Sequence, residues 1–148
     1  MQLDHILEVL GPNTSRTLLL GDLNALTRQD YTAEEWTVLE DRNKEQSWTP
    51  PAAGCLDALA EAGFTDVFAA AAGVSRLSER RPDADGALPQ IFSAHVSNPL
   101  YRIDYMFQGD SLVRDLNPTA AYVAVNMTLS DHFPVVFDLK HASSLSRM

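Results

Sequence analysis

A mixed α/β fold of the α+β kind is what this sequence predicts. Three observations carry the expectation. Apolar residues recur at helical spacing near the start, a capped helical pattern follows a short apolar run, and strand-like runs succeed one another in the second half. The chain has 148 residues, 45% of them hydrophobic and 21% charged. That is the length of one domain with an ordinary globular composition, enough to bury roughly 70% of the unfolded surface.

Gln2 to Leu10 sets Leu3, Ile6, Leu7 and Leu10 on one helical face, and Gly11-Pro12-Asn13 stops that helix. Thr17 to Leu20 is a short apolar run ending at Gly21 and reads as a buried strand. Thr32 with Glu35 three residues on is a capping-box pattern. The helix it opens carries Trp36, Leu39 and Arg42 along one side. Pro50-Pro51 breaks the chain, and a second helix is expected from Ala53 to Ala62, closed by Gly63. Phe64 to Phe68 reads as extended and partly buried. Residues 73–90 have loop composition and read either as a mobile flap or as an exposed insertion. Tyr101 to Phe107, Ala120 to Val125 and Phe133 to Leu139 read as strands. No repeat or low-complexity tract interrupts the pattern.

Charge narrows the range of partners. Eleven basic against 20 acidic residues leave a net charge of −9. Proteins that grip long nucleic acid offer a Lys/Arg patch to the phosphates. Here the densest basic group is Arg76, Arg80 and Arg81, so tight nucleic-acid binding by this chain alone is not expected. No apolar run approaches the ~20 residues of a membrane-spanning helix, so no membrane partner is expected. The start of the chain has no signal-peptide pattern. Cys55 is the only cysteine, which rules out an intramolecular disulfide and fits an intracellular, cytoplasmic location.

Three short segments could carry chemistry. In Gly21-Asp22-Leu23-Asn24, Asp22 and Asn24 follow the apolar strand directly, where α/β proteins often place ligands. Two residues apart, they can point into one cleft, the carboxylate binding a metal or activating water and the amide holding a phosphate oxygen. A turn of purely local importance is the plainer reading. In Arg102-Ile103-Asp104-Tyr105, Asp104 interrupts a strand-forming run. It either pairs with Arg102 on a solvated face or orients a histidine and stabilises its charged form. In Ser130-Asp131-His132, His132 could act as a general acid or base, and Asp131 could ligate a metal. An Asp-His pair in a loop is otherwise ordinary loop chemistry.

Any one of these motifs is short enough to arise by chance; all three in this order are not readily explained so. Together they resemble the endonuclease/exonuclease/phosphatase superfamily, which includes apurinic and DNase I-like endonucleases, inositol polyphosphate 5-phosphatases and sphingomyelinases. The resemblance implies the C-terminal half of a two-sheet β-sandwich flanked by helices. Residues 1–140 would form that partial domain and residues 141–148 a tail. It also implies a metal-dependent phosphoester hydrolase acting on a phosphoester substrate. In the matching positions, Asp22 positions or deprotonates the attacking water and contributes to the metal site. Asn24 helps hold that water and the phosphate. Asp104 hydrogen-bonds the catalytic histidine, His132 stabilises charge on the phosphate, and Asp131 contributes to the metal site. The implied cation is Mg²⁺ or Mn²⁺, because the ligands are hard oxygens.

The chain departs from the superfamily pattern in one large respect. The early asparagine, the metal-binding glutamate and the first-half strands have no counterpart here, and Glu8, Glu34 and Glu35 lie in other contexts. The expectation is therefore a truncated domain, weakly active or inactive alone. Such a domain would expose an apolar sheet face or edge and tend to self-associate. The alternative is a non-catalytic relic that acts as a partner-binding or self-associating module.

Overall fold

The structure, a computed structural model, describes residues 2–48, 54–74, 76–79, 81–82, 84–94, 97, 100–126 and 130–142. In chain order the elements are α1 (Gln2–Leu10), a 3₁₀ turn (Gly11–Arg16), β1 (Leu18–Asp22), a 3₁₀ turn (Arg28–Asp30), α2 (Ala33–Glu45), α3 (Gly54–Glu61), β2 (Phe64–Asp66), α4 (Val67–Ala71), a 3₁₀ turn (Leu77–Glu79), β3 (Asp104–Gly109), α5 (Asp110–Asp115), β4 (Leu116–Val123) and β5 (Val135–His141). Helices and two antiparallel sheets make this a mixed α/β fold. The first sheet has the order β1-β3-β2, and the second is the pair β4-β5. Among the described residues no helix is long and apolar enough to cross a membrane.

The central strand is β3. Its Tyr105 and Phe107 turn to one face and pack with Leu56, Leu59 and Phe64, with Leu7 and Leu10 of α1 partly buried against them. Asp104 and Met106 turn to the opposite face. There the second sheet approaches, and a cleft of about 400 Å³ is lined by Leu20 and Met106 from one sheet and Val135 and Phe137 from the other. A larger core gathers Tyr31, Leu39, Phe68, Leu77, Ile91, Tyr101, Ile103 and Phe133. Phe68 of α4 meets Phe137 of β5 edge-on, with ring centroids 6.2 Å apart, and so joins this core to the second sheet.

Several local expectations hold. The capping box at α2 is complete: Glu35 N–H donates to Thr32 Oγ1 at 3.2 Å, and Thr32 N–H donates to Glu35 Oε2 at 2.9 Å. Leu39 and Asn43 are the buried residues of that helix, while Arg42 lies 5.8 Å from the ring centre of Tyr101. The break at Pro50-Pro51, the helix start at Ala53 and the side chain of Leu3 lie outside the described residues.

Elsewhere the structure corrects the sequence reading. Only Phe64–Asp66 is extended. The Asp66 carboxylate accepts from Phe68 N–H at 2.9 Å, caps a new helix and turns the chain into α4. Residues 73–90 are not simply exposed: Leu77 is 1% exposed and part of the larger core. Ser75, Arg80 and Asp83 of that stretch lie outside the described residues. The strand read from Tyr101 begins instead at Asp104 and runs to Gly109, where α5 follows. Both of the last strands are displaced, with β4 beginning at Leu116 and β5 ending at His141, inside the expected tail.

Arg102 explains the late start of β3. It does not pair with Asp104 on a solvated face; it is 1% exposed and turned inward. Its Nη1 donates to Asp30 Oδ2 at 2.8 Å, and its Nη2 lies 2.7 Å from Asp66 Oδ2. The guanidinium carbon sits 4.3 Å from the ring centre of Tyr105. A planar guanidinium with a two-pronged donor set can serve two carboxylates and an aromatic face together, which an ammonium cannot.

Candidate active site between the two sheets

Asp22 is the last residue of β1, not a loop residue beyond it, and its cross-strand partner is Asp104, the first residue of β3. The hydrogen bonds on either side fix the type of this pair. Leu23 N–H donates to Ile103 O at 2.8 Å and Gly109 N–H to Thr17 O at 3.0 Å. Odd-numbered residues of β1 therefore bond to β3, and Asp22 and Asp104 form a non-hydrogen-bonded pair, in which side chains stand closest. Both project from the face that lines the cleft. Like charges directly opposite in a sheet are destabilising. Placing two carboxylates there is a cost that neither packing nor strand propensity explains.

The loop after β1 folds back on Asp22. Asn24 N–H donates to Asp22 Oδ1 at 2.8 Å, and Asn24 Nδ2 donates to Asp22 Oδ2 at 3.3 Å. Asn24 has φ of +46°, a left-handed conformation that asparagine adopts more readily than most residues. Gly21, with φ of +146°, occupies backbone space that side chains rarely enter. The Gly-Asp-x-Asn segment thus owes both glycine and asparagine to backbone geometry, and that geometry brings the amide onto the carboxylate.

Across the cleft, His132 Nδ1 lies 2.8 Å from Asp104 Oδ2, both side chains about a quarter exposed. The histidine is held from behind as well. His132 N–H donates to Ser130 Oγ at 3.2 Å, His132 forms a β-bridge with Ala94, and Phe133 N–H donates to Ser93 O at 2.7 Å. Asp131 is on the same loop, with Oδ1 accepting from Ser130 Oγ at 3.3 Å.

Ser93 is the residue that sequence reasoning missed. It is fully buried, and its hydroxyl donates to Asp104 Oδ2 at 2.5 Å, the same oxygen that meets His132. Its backbone carbonyl holds Phe133, next to His132. The available signal was a lone hydroxyl within the run Ile91-Phe92-Ser93-Ala94, since a polar group buried among apolar ones has to find a partner.

The structure therefore joins Asp104 to His132 directly, Asp22 to Asn24 directly, and Asp22 to Asp104 by register. Comparison with family models, with curated proteins and with solved structures finds no match.

Chemically, a carboxylate on Nδ1 fixes a histidine's ring orientation, leaving Nε2 as the nitrogen that would act on a substrate. The donor set offers a cation hard carboxylate and amide oxygens. Among the described residues no group of three or more His, Cys, Asp or Glu is placed to hold a metal ion. Mg²⁺ commonly takes one or two protein carboxylates and completes its shell with water and substrate oxygens, so the carboxylates present fit it in kind.

Proposed function

We propose that this chain carries the water-activating and histidine side of a metal-dependent phosphoester hydrolase site. One observation supports this above the others: His132 is bound to Asp104 at 2.8 Å, and Asp104 stands directly across the sheet from Asp22. Asp22, Asp104 and His132, from three motifs far apart in sequence, are thus successive neighbours, and Asp104 and His132 line the cleft. The two-sheet sandwich belongs to the same proposal, and the approach of β1-β3-β2 and β4-β5 across that cleft supports it.

In this reading the residues divide the work between them. Asp22 accepts the proton of the attacking water or orients it, and Asn24 holds Asp22 and reaches the phosphate. His132, kept in position by Asp104, donates from Nε2 to a phosphoryl oxygen as negative charge develops there. Asp104 is a positioning residue for His132. Asp22 and Asp131 are the carboxylates that would hold Mg²⁺ or Mn²⁺, which neutralises phosphoryl charge when bound. A phosphoester is the expected substrate, and the net charge of −9 favours a small one over long duplex DNA.

The test is Mg²⁺-dependent hydrolysis of bis(p-nitrophenyl) phosphate by the chain and its variants. With one side of a site only, the wild-type rate is expected to be low, and His132→Ala and Asp22→Asn are expected to lower it to the uncatalysed background while the melting transition is retained. A rate unchanged by either substitution contradicts the assignment.

A further inference from the structure

The edge of the first sheet has an unusual composition. β1 pairs with β3 on one side, and among the described residues the order β1-β3-β2 leaves its other side at the margin of the sheet. Edge strands normally blunt themselves with lysine, proline or short length. Here the strand is Leu18-Leu19-Leu20-Gly21-Asp22, and all but Leu19 are exposed, Leu18 at 38% and Leu20 at 66%. The odd-numbered residues bond to β3, as the bonds at Thr17 and Leu23 establish. By alternation the N–H and C=O groups of Leu18, Leu20 and Asp22 point outward from the edge. The same three side chains lie on the cleft face.

We propose that this edge pairs with the β1 edge of a second copy of the chain, antiparallel and centred on Leu19. The sequence Arg16-Thr17-Leu18-Leu19-Leu20-Gly21-Asp22 is self-complementary about that centre. Leu18 falls opposite the partner's Leu20, and both present outward backbone groups, so the two residues exchange hydrogen bonds. Arg16, which closes the 3₁₀ turn just before the strand, comes to the end of the pairing nearest the partner's Asp22, and the two-fold axis makes this approach twice. Arg16 is available for it: its side chain is 70% exposed and its ion pair with Asp115 is long, at 3.8 Å. Thr17, larger than its counterpart, falls opposite the partner's Gly21. Moving the centre by one residue of register in either direction breaks the Arg16–Asp22 match. Charge and apolar surface therefore select the same two-fold arrangement, the commonest symmetry of soluble assemblies. The product is a continuous antiparallel sheet of six strands. Leu18 and Leu20 of both copies then cover one another instead of facing water.

This inference does not rest on the hydrolase reading. The interface is one strand deep, so a weak dimer is expected, with Kd on the order of 10–100 µM. Sedimentation velocity from low to high micromolar concentration reads it. The expected result is a concentration-dependent shift from one chain to two. Leu20→Lys, at an exposed position, is expected to weaken the dimer at least about ten-fold with an unchanged circular-dichroism spectrum. Arg16→Asp is expected to weaken it, and Arg16→Asp with Asp22→Arg to restore it. A monomer throughout the range overturns the proposal, as does a dimer that Leu20→Lys leaves intact. A dimer that the double charge reversal fails to restore overturns the register.

Discussion

At the residue scale, the most consequential side chain outside the candidate site is Arg102. Asp30, 4% exposed, is one of its two carboxylate partners. Burial raises the carboxyl of Asp30 above its ordinary value despite the opposing pull of Arg102. Removing one partner of a buried ion pair leaves an uncompensated charge, which costs about 3–5 kcal/mol. Arg102→Met should therefore destabilise the chain by that much in urea unfolding, and a loss below about 1 kcal/mol would contradict the geometry. The pH dependence has a definite sign. A carboxyl whose folded pKa is raised contributes stability that is present below the unfolded value and lost as pH rises through the folded one. The stability of the wild type relative to Asp30→Asn should thus decline as pH climbs above about 4. Denaturation series at several pH values check this, and an advantage that grows with pH contradicts it.

At the element scale, β3 holds both the order and the tension of the molecule. It is the middle strand, and its alternation sends Tyr105 and Phe107 into one core and Asp104 and Met106 to the cleft. Gln108 is fully buried, yet neither its Nε2 nor its Oε1 has a hydrogen-bond partner. Leaving a buried amide unsatisfied costs about 1–3 kcal/mol. Gln108→Met keeps the shape without the polar atoms and should raise stability by about 1 kcal/mol; a clear loss would show that the amide is satisfied in solution. The end of β3 is equally constrained: a Cβ on Gly109 would lie 2.0 Å from Thr14 O. Neither constraint was legible in the sequence, because each depends on which segment packs alongside. The helix capped by Thr32 was legible, since its signal is local. So were the three motifs, because residue identity alone carries them. The start of β3 was not: Arg102 has the right spacing to share a strand face with Asp104 but is drawn inward by Asp30 and Asp66, distant in sequence.

At the scale of the whole molecule, two small sheets meet across a cleft whose lining includes Asp104, Ser130 and His132. The mixed α/β class followed from the periodicities, and of the motif residues Asp104 meets His132 and stands across the sheet from Asp22. The link between them, Ser93, could not be read in advance, because a buried serine is recognised only by what surrounds it. Asp22 opposite Asp104 is a stability cost that a binding role would offset, since a bound cation neutralises the pair. The most direct test of the account is a two-dimensional ¹⁵N NMR titration of the chain with dimethyl phosphate in the presence of Mg²⁺. Saturable shifts at the amides of Asp22, Asn24 and Asp104 and at the His132 ring, moving together and abolished in Asp22→Asn, are the predicted result. Shifts confined elsewhere, or identical in wild type and Asp22→Asn, would contradict it.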